Sequence, residues 1–203
     1  MLSKKIIKAM AVVFLATAVL FATILFVNGD EEESVNITVS IIGDSVALGA
    51  ETMLIKYIPN CYVDAKVSRT IKSGYDVMME LQKNGELREY VVIALGTNGH
   101  NSYASLFTQI IEDLEPGHKL IIVTPYDGRV NANSKVVNKT AEWLRKLPEE
   151  YDYITIADWH ALVGTQSDVL AGDKVHMRGQ TSMILYTNCI IEAINAAWLK
   201  PSK

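Results

Sequence analysis

The sequence predicts an α/β fold, a parallel five-stranded sheet with helices on both faces in a three-layer α/β/α arrangement. Three observations predict it. Strand-like and helix-like segments alternate from Asn36 onwards with no repeat and no second shift of composition. One strand candidate, Tyr90 to Leu95, is apolar throughout, as a strand covered on both faces must be. The helix candidates carry apolar residues three and four apart instead of alternating. Such alternation builds right-handed βαβ crossovers and places ligand sites at the carboxyl ends of the strands.

In chain order, Thr38 to Ile42 reads as the first strand, with β-branched Val39, Ile41 and Ile42 and no charge. Val46, Leu48, Met53, Leu54 and Tyr57 follow with the spacing of a helix's inward face. After a break at Pro59-Asn60, Cys61 to Val67 is the second strand, and a helix near Gly74 sets Val77, Met78 and Leu81 on one face. Tyr90 to Leu95 is the third strand. The next helix aligns Leu106, Phe107, Ile110, Ile111 and Leu114, and Pro116-Gly117 ends it. Leu120 to Val123 is the fourth strand, Val136, Val137, Thr140, Ala141 and Leu144 mark another helix, and Tyr153 to Ala157 is the fifth strand. The last helix is expected to bury Ile184, Ile191, Ile194 and Trp198. A flavodoxin-like 2-1-3-4-5 strand order is the natural expectation for these elements.

The 203 residues suffice for one such domain and an appendage. The appendage is at the start. Lys4, Lys5 and Lys8 precede Ala9 to Val27, a run without charge. As a helix at ~1.5 Å per residue it reaches roughly 28 Å, enough to cross a bilayer core. Residues 1–28 are therefore expected to be an N-terminal transmembrane helix, with the lysines cytoplasmic and Asp30 to Glu33 emerging outside. A cleaved signal segment is the competing reading; the length of the run and the lack of a clear small-x-small site favour an uncleaved anchor. Residues 29–35 form an acidic tether, and 36–203 the folded domain, extracytoplasmic on this reading.

Without the three lysines the formal net charge goes from −4 to −7, which argues against a nucleic-acid partner. Cys61 and Cys189 form no CxxC or metal spacing. They read as two small buried side chains, with a disulfide the alternative in an exported domain.

Three segments carry chemistry. Gly43-Asp44-Ser45-Val46 sits at a strand-to-helix junction, where free N–H groups gather and a hydroxyl is well placed to attack an acyl group. Gly96-Thr97-Asn98-Gly99 ends the third strand, its glycines permitting a sharp turn and Asn98 offering an amide donor. Asp173-Lys174-Val175-His176 precedes the last helix, and a carboxylate there can hold the imidazole Nδ1–H and leave Nε2 as a base. Each alone is also an ordinary turn, helix cap or surface loop. Together they supply a nucleophile, a base and an anion donor.

These three segments resemble blocks I, III and V of the SGNH (GDSL-type) hydrolases, over residues 36 to 199. The wording from Ala65 through Gly99, with Asp158-Trp159, is similar to one branch, the extracytoplasmic SGNH domain of bacterial peptidoglycan O-acetyltransferases. The resemblance implies Ser45 as nucleophile, His176 as general base and then acid, and Asp173 as its orienting partner. Asp158 is the rival for that acid. It implies an oxyanion hole from the Ser45 N–H and the Asn98 side chain. The family's block II glycine has no match here, where Ser68-Arg69 stands and the nearest glycine is Gly74, so a two-donor hole is expected. Ser68, His100, Tyr126 and Arg129 are the candidates for substrate contact; His100 is equally readable as an exposed loop residue. Asp44 is expected to brace the turn, and His118 and His160 to be structural. No metal or organic cofactor is implied.

The function implied is a membrane-anchored serine O-acyltransferase or esterase handling acetyl groups of cell-envelope glycans. A separate membrane protein is the expected acyl donor, since the expected span is single where the resembling enzymes commonly carry a multi-span portion. Its alternatives are a plain carbohydrate or lipid esterase and a catalytically silent glycan-binding relative. A nucleotide-binding reading of Gly43 to Gly49 fails for want of a phosphate-loop lysine.

Overall fold

The structure is a computed structural model that describes residues 37–203; the expected anchor and tether lie outside the described residues. Five parallel strands, β1 Val39–Gly43, β2 Cys61–Ala65, β3 Tyr90–Ala94, β4 Lys119–Val123 and β5 Ile154–Ala157, form a sheet in the order β2-β1-β3-β4-β5. That is the expected order. The helices among the described residues are α1 Ser45–Tyr57, α2 Ile71–Lys83, α3 Tyr103–Asp113, α4 Ala132–Leu144, α5 Trp159–Thr165 and α6 Gln180–Trp198. None is long and apolar enough to cross a membrane.

The pleat sorts the strand residues into two cores. Val39, Ile41, Tyr90, Val92, Ile121 and Val123 pack with α1, α5 and α6 on one face. Ile42, Val91, Ile93, Leu120, Ile122 and Ile154 pack with α2, α3 and α4 on the other. Alternate side chains point to opposite faces, and since both faces are covered both sets are apolar. Each fully buried Val, Leu or Ile side chain contributes roughly 1.5–3 kcal/mol relative to exposure. Ser40 and Thr155 are buried polar residues within strands, and Lys119 is a buried charged one. Its ammonium donates to the carbonyls of Ala197 at 3.0 Å and Trp198 at 3.3 Å, and also to that of Lys200, placing a positive charge at the negative end of α6.

Several elements differ from expectation. β2 stops at Ala65: the Lys66 N–H makes the last ladder bond, to the Gly43 carbonyl, and the chain then turns, with the Arg69 N–H on the Lys66 carbonyl at 3.2 Å and Ser68 at a positive φ of 58°. The α5 helix has no counterpart among the expected elements; Asp158 caps it, accepting the Ala161 N–H. On α6 the buried stripe runs through Ser182, Tyr186, Cys189, Ile190, Ala193, Ile194 and Ala197. Ile184 and Ile191 border it half-buried, and Trp198, next to the stripe at the helix end, is 47% exposed. The two cysteines are unpaired, both on the α1/α6 side of the sheet.

Candidate active site

The site grows from the end of β1. A side chain at Gly43 would bring its Cβ within 2.3 Å of the Ala47 Cβ, so the close pass of strand and helix requires glycine. Asp44 is the N-cap of α1: its Oδ1 accepts the Val46 N–H at 3.0 Å, and its Oδ2 accepts the Thr97 N–H at 3.3 Å. The carboxylate is buried and ties the β1 turn to the β3 turn, the bracing expected of it. Burial raises its pKa, against the opposing pull of the Val46 and Thr97 donors. Ser45 follows as the first helical residue, at the positive end of α1.

His176 reaches Ser45 from the loop before α6. Its Nε2 lies 2.9 Å from Ser45 Oγ, and its Nδ1 lies 2.6 Å from Asp173 Oδ2. The other oxygen, Asp173 Oδ1, accepts the N–H groups of Val175 and His176, each at 3.0 Å. Desolvation would raise the Asp173 pKa, but the hydrogen bonds from the His176 ring and the two backbone N–H groups outweigh it and hold the carboxyl down to about 2. An ionised carboxylate at Nδ1 favours the tautomer with its proton there, which leaves Nε2 to accept from Ser45.

Gly96, at φ +111°, turns the chain out of β3 and into the loop of Asn98. Asn98 donates from Nδ2 to the Arg69 carbonyl at 2.9 Å. Arg69 is itself buried, its guanidinium bonded to the Gly43 carbonyl at 3.3 Å, to Asp64 Oδ1 at 2.6 Å and to the Asp64 carbonyl. Ser68 holds, at its positive φ, the left-handed conformation that glycine adopts freely, in the segment matching the missing block II glycine.

Ser45, Asn98, Asp173, His176, Ser68 and Arg129 all line one open cleft of about 500 Å³. His100 and Tyr126 are not among its lining residues. The His100 Nδ1 accepts the Ser102 N–H at 3.1 Å, and the Tyr126 ring meets the His160 ring edge-on with centroids 5.3 Å apart. Asp158 is occupied elsewhere, paired with Arg145 at 2.7 and 2.9 Å and accepting the Thr124 hydroxyl at 2.8 Å. Among the described residues, no group of three or more His, Cys, Asp or Glu could hold a metal ion.

Sequence reasoning missed Asp127, Asn133 and the buried clamp of Arg69. Asp127 accepts from Arg129 and Asn133, and Asn133 also donates to the Thr97 carbonyl at 3.2 Å. Asp127-Gly128-Arg129 reads in sequence as a polar turn, and only the buried carboxylate distinguishes it from one. Chemically, a hydroxyl bonded to a carboxylate-held imidazole can pass its proton to Nε2 as the oxygen attacks an acyl carbon. Helix N–H groups beside it can receive the charge that develops.

No family model matches the chain. It is similar to the solved C-terminal catalytic domain of Streptococcus pneumoniae peptidoglycan O-acetyltransferase A (OatA) carrying a methylsulfonyl adduct, with 36% identity and a TM-score of 0.79 over 82% of this chain and 97% of that one. It is 25% identical to the putative peptidoglycan O-acetyltransferase YrhL of Bacillus subtilis, over 76% of this chain and 23% of that protein. The chain thus spans less than a quarter of the length of that relative. A putative SGNH hydrolase from Slackia heliotrinireducens shares the fold, with 14% identity and a TM-score of 0.62 over 78% of this chain and 98% of that one.

Proposed function

Because the chain belongs to the peptidoglycan O-acetyltransferase catalytic domains, within the SGNH hydrolases, we propose that it is an extracytoplasmic serine O-acyltransferase acting on acetyl groups of cell-envelope glycans. The observation that carries this reading is the unbroken chain Asp173 Oδ2, His176 Nδ1, His176 Nε2, Ser45 Oγ, with contacts of 2.6 and 2.9 Å between residues that line the cleft.

In the mechanism, Ser45 Oγ attacks the acetyl carbonyl carbon while its proton passes to His176 Nε2. Asp173 stabilises the imidazolium. The Ser45 N–H and the free Nδ2 hydrogen of Asn98 receive the oxyanion; the other Nδ2 hydrogen stays on the Arg69 carbonyl. Collapse of the tetrahedral adduct breaks the donor's C–O bond, and His176 returns the proton to the leaving oxygen. A sugar hydroxyl then attacks the acetyl-Ser45 carbonyl with His176 again as base, giving an acetylated glycan and free Ser45. Arg129 and Ser68 are the acceptor contacts, since both line the cleft beside Ser45. Residues 1–28 would anchor the domain to the membrane, and a separate membrane protein would supply the acetyl group.

Hydrolysis is the competing outcome. The side chains of His176 and Asp173 are each nearly half exposed, so water reaches the base. Water is present at ~55 M, and transfer wins only where the acceptor is held in line with the acyl carbon. The experiment gives the full chain an activated acetyl ester with and without chito-oligosaccharide or muropeptide acceptors and quantifies both products. Acetylated glycan is the expected main product; acetate alone with every glycan offered would make the protein a plain esterase.

A further inference from the structure

Asp127 lies between β4 and α4, outside the cleft lining, and is only 2% exposed. Its carboxylate accepts four hydrogen bonds. Oδ1 takes the Arg129 backbone N–H at 3.0 Å and Nε–H at 2.8 Å; Oδ2 takes Arg129 Nη2 and Asn133 Nδ2, each at 2.7 Å. A turn-forming aspartate needs only one such bond, from the backbone two residues on.

One additional bond leads to the Asn98 loop, and the backbone of the Asp127 turn leads to the loop of Asp173 and His176. Asn133 Nδ2 also donates to the carbonyl of Thr97. Its Oδ1 would lie 2.3 Å from a Cβ placed on Gly99, which sits at φ +59°. Asn133 thus braces the residues on both sides of Asn98. In the other direction, the Gly128 N–H donates to the Lys174 carbonyl at 2.9 Å, between Asp173 and His176.

Taking Ser45, His176 and Asp173 in the roles proposed above, we propose that Asp127 is a positioning residue that joins the oxyanion loop to the base loop. Through Asn133 it sets the turn that carries Asn98. Through Gly128 it sets the segment that carries Asp173 and His176. Asp127 is fully buried while the Arg129 side chain is 45% exposed, and a buried acceptor whose donors would otherwise go unpaired is costly to remove, so the connection is stiff. Stiffness matters because a displacement of ~1 Å at a reacting group can cost about 10²-fold in rate.

The test measures amide hydrogen exchange in the full chain, which reports coupling without turnover. Asp127→Asn keeps the size but turns an NH₂ group towards donors that need an acceptor. It is expected to speed exchange on the order of 10-fold at Gly99, Gly128, Val175 and His176, leaving the β3 and β4 amides of Val92 and Ile121 unchanged. Sulfonylation of Ser45 by methanesulfonyl fluoride should slow about 10-fold. Asn133→Ala keeps the Asp127–Arg129 fork and is expected to loosen Gly99 alone. It also carries the test if Asp127→Asn does not fold. Unchanged exchange at Gly99 in Asn133→Ala, or an equal rise in strands and loops in Asp127→Asn, would overturn the proposal. A parent chain that is not sulfonylated at Ser45 would instead count against the nucleophile assignment, because the exchange result stands without it.

Discussion

Asn98 spends one Nδ2 hydrogen on the carbonyl of Arg69, 2.9 Å away, and Arg69 is in turn locked by the Gly43 carbonyl and Asp64. The amide is held in place by this bond, and in the proposed oxyanion role its second Nδ2 hydrogen would serve the cleft that Asn98 lines with Ser45. A donor fixed in advance acts on the transition state more than on the bound ester. Asn98→Ala is expected to lower kcat by about 10²–10³, or about 3–4 kcal/mol, with little change in KM. Steady-state kinetics on a chromogenic acetyl ester checks it; a change confined to KM would make Asn98 a substrate contact.

The two candidate acids separate by their partners. Asp173 touches the imidazole, whereas Asp158 holds Arg145, Thr124 and the first turn of α5. Asp173→Asn is expected to lower kcat by about 10²–10⁴ with the fold intact. Asp158→Asn should leave kcat within a few fold and reduce stability by about 1–2 kcal/mol, through the lost cap and ion pair. Kinetics and denaturant unfolding of both variants decide it, and the reverse pattern would reassign the acid.

The acid side of the stability profile follows from Asp173. Its native pKa of about 2 lies below the usual carboxyl value of about 4. The unfolded state therefore binds the proton more readily, and Asp173 contributes stability that is fully present above pH ~4 and lost as pH falls towards ~2. The Tm difference between the parent and Asp173→Asn should be flat from neutral pH to about 4 and shrink below it. A difference that disappears between pH 5 and 7 would contradict the assignment.

Much of this was legible in the chain because it is local or periodic. Val39/Ile41 against Ile42, and Tyr90/Val92 against Val91/Ile93, show both faces apolar, which implies helices on both sides. Ser45, Asn98, Asp173 and His176 each stand in a short motif at a turn beside a strand or helix end, and all four line one cleft. Other features leave no such trace. The seven residues of α5 are too few to establish a helical period. Trp198 is apolar, yet it lies one residue past the end of the buried stripe. The value of Asp127 depends on burial and on Asn133, which no spacing rule connects to it. Tyr126 and Arg129 share a loop, but the ring packs against His160 while the guanidinium borders the cleft.

The thiols test the packing. Burial pushes Cys61 up to about 11, with Arg88 opposing it, and burial with help from Glu192 and Asp158 pushes Cys189 up to about 12. Thiolate is the reactive form, so both should label slowly at neutral pH in the native protein and fully in denaturant. Reductant should leave Tm unchanged. A reductant-sensitive Tm would mean that the two cysteines pair in solution.

The central claim is that Ser45 is acylated with His176 as its base. The most direct measurement is intact-protein mass spectrometry, with peptide mapping, after brief exposure to an activated acetyl ester and acid quench. The account predicts one acetyl group on the peptide containing Ser45 in the parent chain, and none there in Ser45→Ala or His176→Ala. Undiminished ester turnover by Ser45→Ala, with no acetyl group at position 45 in the parent, would contradict it.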